Sequence, residues 1–419
     1  MPRFRIAPDA SDSVNGWTTC SLADLSRVAD AERDNSSGTT GLQRTFADLV
    51  SSEHLVILTG LGTSLEIVDS ATKRQRFPTM QRLWGLVATK SGATFEKVRA
   101  LIHYDQPSQT NIEELLSRCQ MAVALGTDTS SFDLPAFIGD VETTISDECS
   151  YRPVESETAT HEDFLRRVVR RSSRKPRPSI FTTNYDLCFE IAASRINLPL
   201  IDGFSFAQPR RFSPESFDYD IVSRGSYAKE PDYLRNLAKL YKLHGSVDWQ
   251  RLPDGVEKRE KPSSPLLIYP RYNKFETSYV QPFLEMMSRF QVSLRAESVG
   301  VVVVCFGFRD QHIAEPLLAA VKANASLRLV IVAPDLCGRD ASALYAEKDL
   351  LGQASDNPYL AQLDRLIERG DNRLTFVNAR FSEATPFIPL LAMQSESEQQ
   401  ETRIRDLERW VAARKRSEG

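Results

Sequence analysis

The chain has 419 residues, 41% hydrophobic and 26% charged, which fits an ordinary globular protein with one large domain plus insertions, or two domains. A formal charge of -4 excludes attraction of the whole molecule to nucleic acid or to an anionic membrane. No apolar run approaches the ~20 residues that span a bilayer, and the first residues lack the apolar core of a signal peptide, so a soluble cytoplasmic protein without membrane contact is expected. Cys20, Cys119, Cys149, Cys188, Cys305 and Cys337 are scattered, with no CxxC pair and no Cys/His spacing suited to zinc. Neither a disulfide framework nor a bound metal is therefore expected.

In chain order, residues 1–42 read as a partly disordered extension, in which a short helical pattern (SLADLSRVADAE) precedes a linker-like DNSSGTTG. A helix, TFADLV, then leads into the strand His54 to Thr59. HLVILT is apolar on both faces, as a parallel strand covered by helices requires. The next strand, near 179 to 184, lies too far on for a single crossover helix. Patterns such as TMQRLWGLVATK, TNIEELLSRCQMAVAL and HEDFLRRVVRR instead predict a helical insertion over about 80–175 that covers a pocket. A loop-rich, aromatic and Pro-containing insertion is expected over about 203–240.

Further apolar strands are predicted at 299 to 308, 328 to 334 and 373 to 379, the last after the helix NPYLAQLDRLIERG. Strands alternating with helices predict a doubly wound, Rossmann-like α/β sheet over 43–390, with ligands at the carboxyl ends of its strands. Residues 391–419 read as a helical tail whose Ile404, Leu407, Trp410 and Val411 share one face, placed to pack on a neighbouring subunit or on the tail's own domain.

The strand ends carry the chemistry. The first runs into Thr59-Gly60-Leu61-Gly62-Thr63-Ser64, where glycine permits close approach of a backbone to phosphate. The second ends in Thr182-Thr183-Asn184-Tyr185-Asp186, two short polar side chains around an aromatic, suited to a turn and a helix cap. His244-Gly245-Ser246 follows a third run, LYKL, and the late strand gives CFGFRDQHI, residues 305 to 313. In a doubly wound sheet these ends converge on one crevice.

That ordered set resembles the sirtuin (silent information regulator) superfamily, particularly the bacterial sirtuin-like proteins of antiphage defence, from about Leu55 to Phe381. TTNYD is similar to the sirtuin T-Q-N-x-D element and LHGS to the segment bearing its catalytic histidine. FPTMQRLW, residues 77 to 84, resembles a P-T-M-x-x-L-W segment of defence members, including those paired with a HerA-type ATPase. The resemblance implies cleavage of the nicotinamide–ribose bond of NAD through an oxocarbenium-like sugar, as in glycoside cleavage. Such a site needs a held diphosphate, fixed ribose hydroxyls and a base.

By that resemblance Gly60, Leu61, Gly62, Thr63 and Ser64 would cradle phosphate, with Thr183, Gly307, Phe308 and Asp310 as further cofactor contacts. Asn184 would orient the ribose or the attacking water, Asp186 would hold the carboxamide, and His244 would be the base, a role that a neutral imidazole suits. The implied function is an NAD hydrolase that depletes NAD in abortive infection, acting as a homo-oligomer and with a HerA-type ATPase as possible partner.

Three departures mark the chain. The four-cysteine zinc ribbon of deacylating sirtuins has no counterpart, Leu61 stands where alanine is usual, and the Asp-Phe-Arg of the following loop is absent. Loss of the zinc module weighs against deacylation, which stays as an alternative with ADP-ribosyl transfer and a non-hydrolytic NAD or ADP-ribose sensor. Nucleic-acid contact is not expected: the basic run RRVVRRSSRKPRP, 166 to 178, lacks interleaved aromatics and reads as a solvated helix end and linker. Of the other histidines, His54, His103 and His161 read as structural, and His312 either closes the late loop or contacts a helix start.

Overall fold

The structure is a computed structural model that describes residues 3–5, 18–19, 38–69, 71–104, 110–127, 132–172, 174–223, 232–268, 280–334, 336 and 357–390. The expected tail helix, with Ile404, Leu407, Trp410 and Val411, lies outside the described residues. The first half runs β1 (Arg3–Arg5), β2 (Thr18–Thr19), α1 (Gly38–Val50), β3 (His54–Thr59), α2 (Gly62–Leu65), α3 (Met80–Ser91), α4 (Ala93–Leu101), α5 (Ile112–Ala124), α6 (Leu134–Cys149), α7 (Ala159–Val168), β4 (Ser179–Thr182), α8 (Cys188–Arg195) and β5 (Leu200–Ile201). The second half runs β6 (Val222–Ser223), β7 (Asp232–Tyr233), β8 (Ala238–Lys242), β9 (Gly245–Leu252), β10 (Gly255–Lys258), β11 (Pro265–Leu267), α9 (Phe283–Leu294), β12 (Val299–Val304), α10 (Gln311–Ala323), β13 (Arg328–Ala333), α11 (Pro358–Glu368), β14 (Leu374–Asn378) and α12 (Phe381–Ala384).

The main sheet has the order β2-β1-β14-β13-β12-β3-β4-β8-β5. From β14 to β5 its seven strands are parallel, whereas β1 and β2 add antiparallel at the β14 edge. The doubly wound α/β expectation holds. Starting at β3, the chain builds outward through β4 and β8 on one side, then returns to build β12, β13 and β14 on the other. The β3/β12 boundary is thus the topological switch point, where a crevice opens beyond the strand ends.

Side-chain alternation divides the core between the two faces of the sheet. Val56, Leu58, Phe181, Val301, Val303 and Ile331 join a cluster with Phe290 of α9 and Leu317 of α10. Their neighbours Leu55, Ile57, Ile180, Val302, Val304 and Val332 join a second cluster with Phe46 of α1 and Phe164 of α7. Helices α3 to α6 have a core of their own, including Leu83, Val98, Leu116, Phe137 and Ile145, with Tyr185 and Leu267 packed against it. Side-chain caps start three of them, α3, α5 and α6: Thr79 accepts from Arg82 N, Asn111 from Glu113 N and Glu114 N, and Asp133 from Ala136 N.

The strands end earlier than their apolar runs, β12 at Val304 and β4 at Thr182, because the residues beyond leave the ladder to build turns. Among the described residues no helix is long and apolar enough to cross a membrane.

Candidate functional site

At the switch point the glycine loop rests on the end of β12. A Cβ on Gly60 would lie 2.6 Å from Cys305 O and 2.7 Å from Phe306 Cα, and one on Gly62 would lie 2.6 Å from Cys305 Cβ. Gly60 is thus required by backbone packed against it and Gly62 by the Cys305 side chain, reasons distinct from the close approach of a phosphate. Cys305 and Phe308 both adopt positive φ, 51° and 53°, a conformation that side chains with a Cβ seldom hold without support. Part of that support is Asn357, whose Nδ2 donates to Phe308 O (3.1 Å) and Gly307 O (3.4 Å).

The Asn184-Tyr185-Asp186 turn locks onto the loop from the other side. Asn184 Nδ2 lies 3.1 Å from Gly60 O, 3.0 Å from Thr63 Oγ1 and 2.7 Å from Ser64 Oγ. Ser64 Oγ donates to Asp186 Oδ2 (2.6 Å), and Asp186 Oδ1 accepts from Cys188 N (3.0 Å) at the start of α8. The turn is therefore a helix cap and a loop clamp at once. Beneath it Lys242, buried at the end of β8, donates to Tyr185 O and Asp186 O and pairs with Glu190 Oε1 at 3.0 Å.

His244 follows β8 and is buried. Its Nε2 faces His312 Nε2 at 3.1 Å, and the Tyr185 ring lies 6.5 Å away, centroid to centroid. Gly60, Leu61, Gly62, Thr183, Asn184, Asp186, His244, Gly307 and Asp310 all line one cavity of about 610 Å³ between the strand ends and the helical insertion. The insertion contributes Met80 from α3 and Asn111, Glu113 and Glu114 from the start of α5. Arg309 is the cationic side chain among the described lining residues, against the carboxylates of Glu113, Glu114, Asp186 and Asp310.

A family model described as a SIR2-like domain matches residues 178–350, a span that runs from β4 through His244 and the late turn to beyond β13. That match supports a sirtuin-like family. No curated protein matches the chain. One solved structure, the crystal structure of cytosolic 5'-nucleotidase IIIB bound to cytidine, is 11% identical, with 84% of this chain and 98% of that chain covered, at a TM-score of 0.28. A likeness at that score has no bearing on fold or function.

Not every residue expected in a sirtuin-like pocket reaches the cavity wall. Thr63 and Ser64 are buried behind the loop, where they serve the Asn184–Asp186 clamp. Phe308 turns into the main core, 5.1 Å from the Phe306 ring. The sequence reading did not single out Arg309, the α5 start or the contact between the two imidazoles. His244 and His312 are 68 residues apart in sequence, so spacing gave no signal for them.

The remaining groups behave structurally. His161 sits between Phe189 and Phe381, each ring centroid 5.1 Å away, and burial lowers its pKa to about 4, so it is neutral. Burial also pushes the Cys149, Cys188 and Cys305 thiols above their ordinary range, which removes them as thiolate nucleophiles. In the basic run, Arg171 donates to Val50 O, Ser52 O and Glu53 O, and Lys175 to Ser51 O. Arg167 reaches Pro386 O and Ile388 O, Arg166 pairs with Glu162, and Arg177 with Asp220. The run is largely a brace within the fold.

Proposed function

We propose that the protein is an NAD hydrolase that breaks the nicotinamide–ribose bond, giving nicotinamide and ADP-ribose. The observation that carries this is the meeting of the Asn184–Asp186 turn, His244 and the Gly60–Ser64 loop at one cavity, in a chain that matches a SIR2-like domain. In the reaction the glycosidic electron pair leaves with the nicotinamide nitrogen and neutralises its charge, while positive charge develops on the sugar. Water forms the new bond to the ribose carbon and gives up a proton, which His244 accepts. Glu113, Glu114 and Asp310 on the cavity wall favour a cationic ring and a cationic sugar.

Asn184 Nδ2 is committed to the glycine loop, so Oδ1 is the atom that serves a ribose hydroxyl or the water. Asp186 has one protein donor on each oxygen and, as an acceptor with about four lone-pair sites, still accommodates the carboxamide N–H. Arg309 is the counter-charge for the diphosphate. Turnover of this kind depletes NAD. The resemblance to defence proteins suggests abortive infection as its setting, in the cytoplasm, with a homo-oligomer and a HerA-type ATPase as proposed assemblies.

The test is nicotinamide and ADP-ribose release from NAD by the full chain, with and without a HerA-type ATPase, beside His244→Ala and Asn184→Ala. A lost general base costs about 10²- to 10⁴-fold, so His244→Ala is expected to fall at least that far. NAD that binds and is never cleaved under either condition would refute the hydrolase.

A further inference from the structure

The pairing of His244 with His312 has a third member. Ligand atoms of His244, His312 and Asp310 all lie within 4.8 Å of one another. Two neutral imidazole nitrogens and a carboxylate converging on one point is the donor set of a borderline transition metal; calcium and magnesium prefer oxygen alone. The spacing fits as well. Zinc–nitrogen bonds of about 2.0–2.1 Å, spread between a right angle and the tetrahedral angle, place two ligating nitrogens roughly 2.9–3.4 Å apart. The observed Nε2–Nε2 separation is 3.1 Å.

Asp310 occupies the N-cap of α10, where an aspartate ordinarily accepts from an amide of the first turn, yet its side chain makes no cap hydrogen bond. A carboxylate oxygen instead lies within 4.8 Å of a ring nitrogen of each histidine.

The supports on both sides are fixed: Ile268 N donates to His244 O at 2.7 Å, and Asn357 holds the turn that leads to Asp310. His244 and Asp310 also line the cavity, so any further coordination position faces solvent or substrate.

We propose that His244, Asp310 and His312 bind one first-row divalent transition-metal ion of the zinc class, and that its binding takes the His244 lone pair away from hydrolysis. The second half rests on the NAD-hydrolase reading; the first half does not. Bound metal would hold the enzyme off, and its removal would release the base.

The experiment uses the full chain stripped by chelator and titrated with Zn²⁺ by calorimetry and with Co²⁺ by visible absorption, nicotinamide release being followed in parallel. One ion per chain is expected, with Co²⁺ ligand-field bands. The affinity should fall at least tenfold in both His312→Asn and Asp310→Asn and stay unchanged in His103→Asn. Thermal unfolding in chelator checks that each variant is folded.

Zinc should suppress nicotinamide release and chelator restore it. No stoichiometric ion, or an ion whose affinity neither His312→Asn nor Asp310→Asn changes, overturns the site. Zinc that raises turnover overturns the inhibitory role. An ion that binds as expected to a chain that never cleaves NAD upholds the site and removes the hydrolase, whereas cleavage by a chain that takes up no stoichiometric ion when titrated does the reverse.

Discussion

The hydrogen bonds around Asp186 run one way, and that polarity can be measured. Asn184 donates to Ser64, Ser64 donates to Asp186 Oδ2, and the Cys188 amide donates to Oδ1. An ionised carboxylate ends the chain because it only accepts. Asp186→Asn keeps the shape and adds donors. If the new amide nitrogen faces Cys188 N, two donors oppose each other; if it faces Ser64, the hydroxyl must reverse. Either way a buried donor loses its acceptor and a charge-assisted bond is lost, for an expected destabilisation of about 2–4 kcal/mol.

Ser64→Ala in the wild-type background removes the bond to the charged Asp186, about 1.5–3 kcal/mol, together with the bond from Asn184, and its cost should fall by ~1–2.5 kcal/mol once Asp186 is Asn, when chiefly the Asn184 bond is left to lose. The coupling is then ~1–2.5 kcal/mol, read from the urea midpoints of the four proteins at constant slope. If Ser64→Ala costs the same in both backgrounds, Asp186 is not the sink of this network and the clamp assigned to the turn is wrong.

Three further outcomes follow, two from groups beside the site and one from a control in α3. Glu66 accepts from Ser382 N, and burial raises its carboxyl from 4.5 to about 7 in the fold. The folded chain thus holds this proton more tightly, and the stabilisation present below pH 4.5 is lost as pH rises through 7, a total on the order of 3 kcal/mol. Glu66→Gln should flatten that part of a melting-temperature profile between pH 4.5 and 8; an unchanged slope would exclude Glu66 as its source. Gly60→Ala drives a Cβ into the Cys305–Phe306 backbone and should cost about 1–3 kcal/mol in urea unfolding. Gly85→Ala in α3, which meets nothing within 4 Å, should instead stabilise by about 0.5–1 kcal/mol. Equal effects would mean that the glycine loop is not packed as described.

The central strands were legible because β3, β12 and β13 are aliphatic on both faces, a pattern that only a covered parallel sheet explains. The position of β8 in that sheet was harder to read. Lys239 and Lys242 break its apolar run, yet Lys239 Nζ donates to Phe217 O and Lys242 is satisfied by the carbonyls of the Tyr185–Asp186 turn. Strands of three and two residues, such as β1 and β2, are too short to carry a period. At the site, the polar residues at strand ends could be picked out from sequence, since such types gather where a sheet binds ligands. What fills the space beside Gly60, which way Phe308 turns and which ring faces His244 depend on contacts between distant segments, on which local spacing is silent.

The edge pairing of β1 with β14 sets an order of events during synthesis. Arg3 pairs with Asn378 and Arg5 with Phe376, so a strand made early waits for one that follows far later in the sequence. A contact that spans nearly the whole chain forms slowly, because its loop-closure entropy must be met before the contact can repay it. Until then the outer side of β14 is an unpaired parallel edge, the kind of surface to which a second nascent chain can add a strand. By covering that edge itself, β1 makes the arrival of β14 the step after which the sheet is shielded from its own copies.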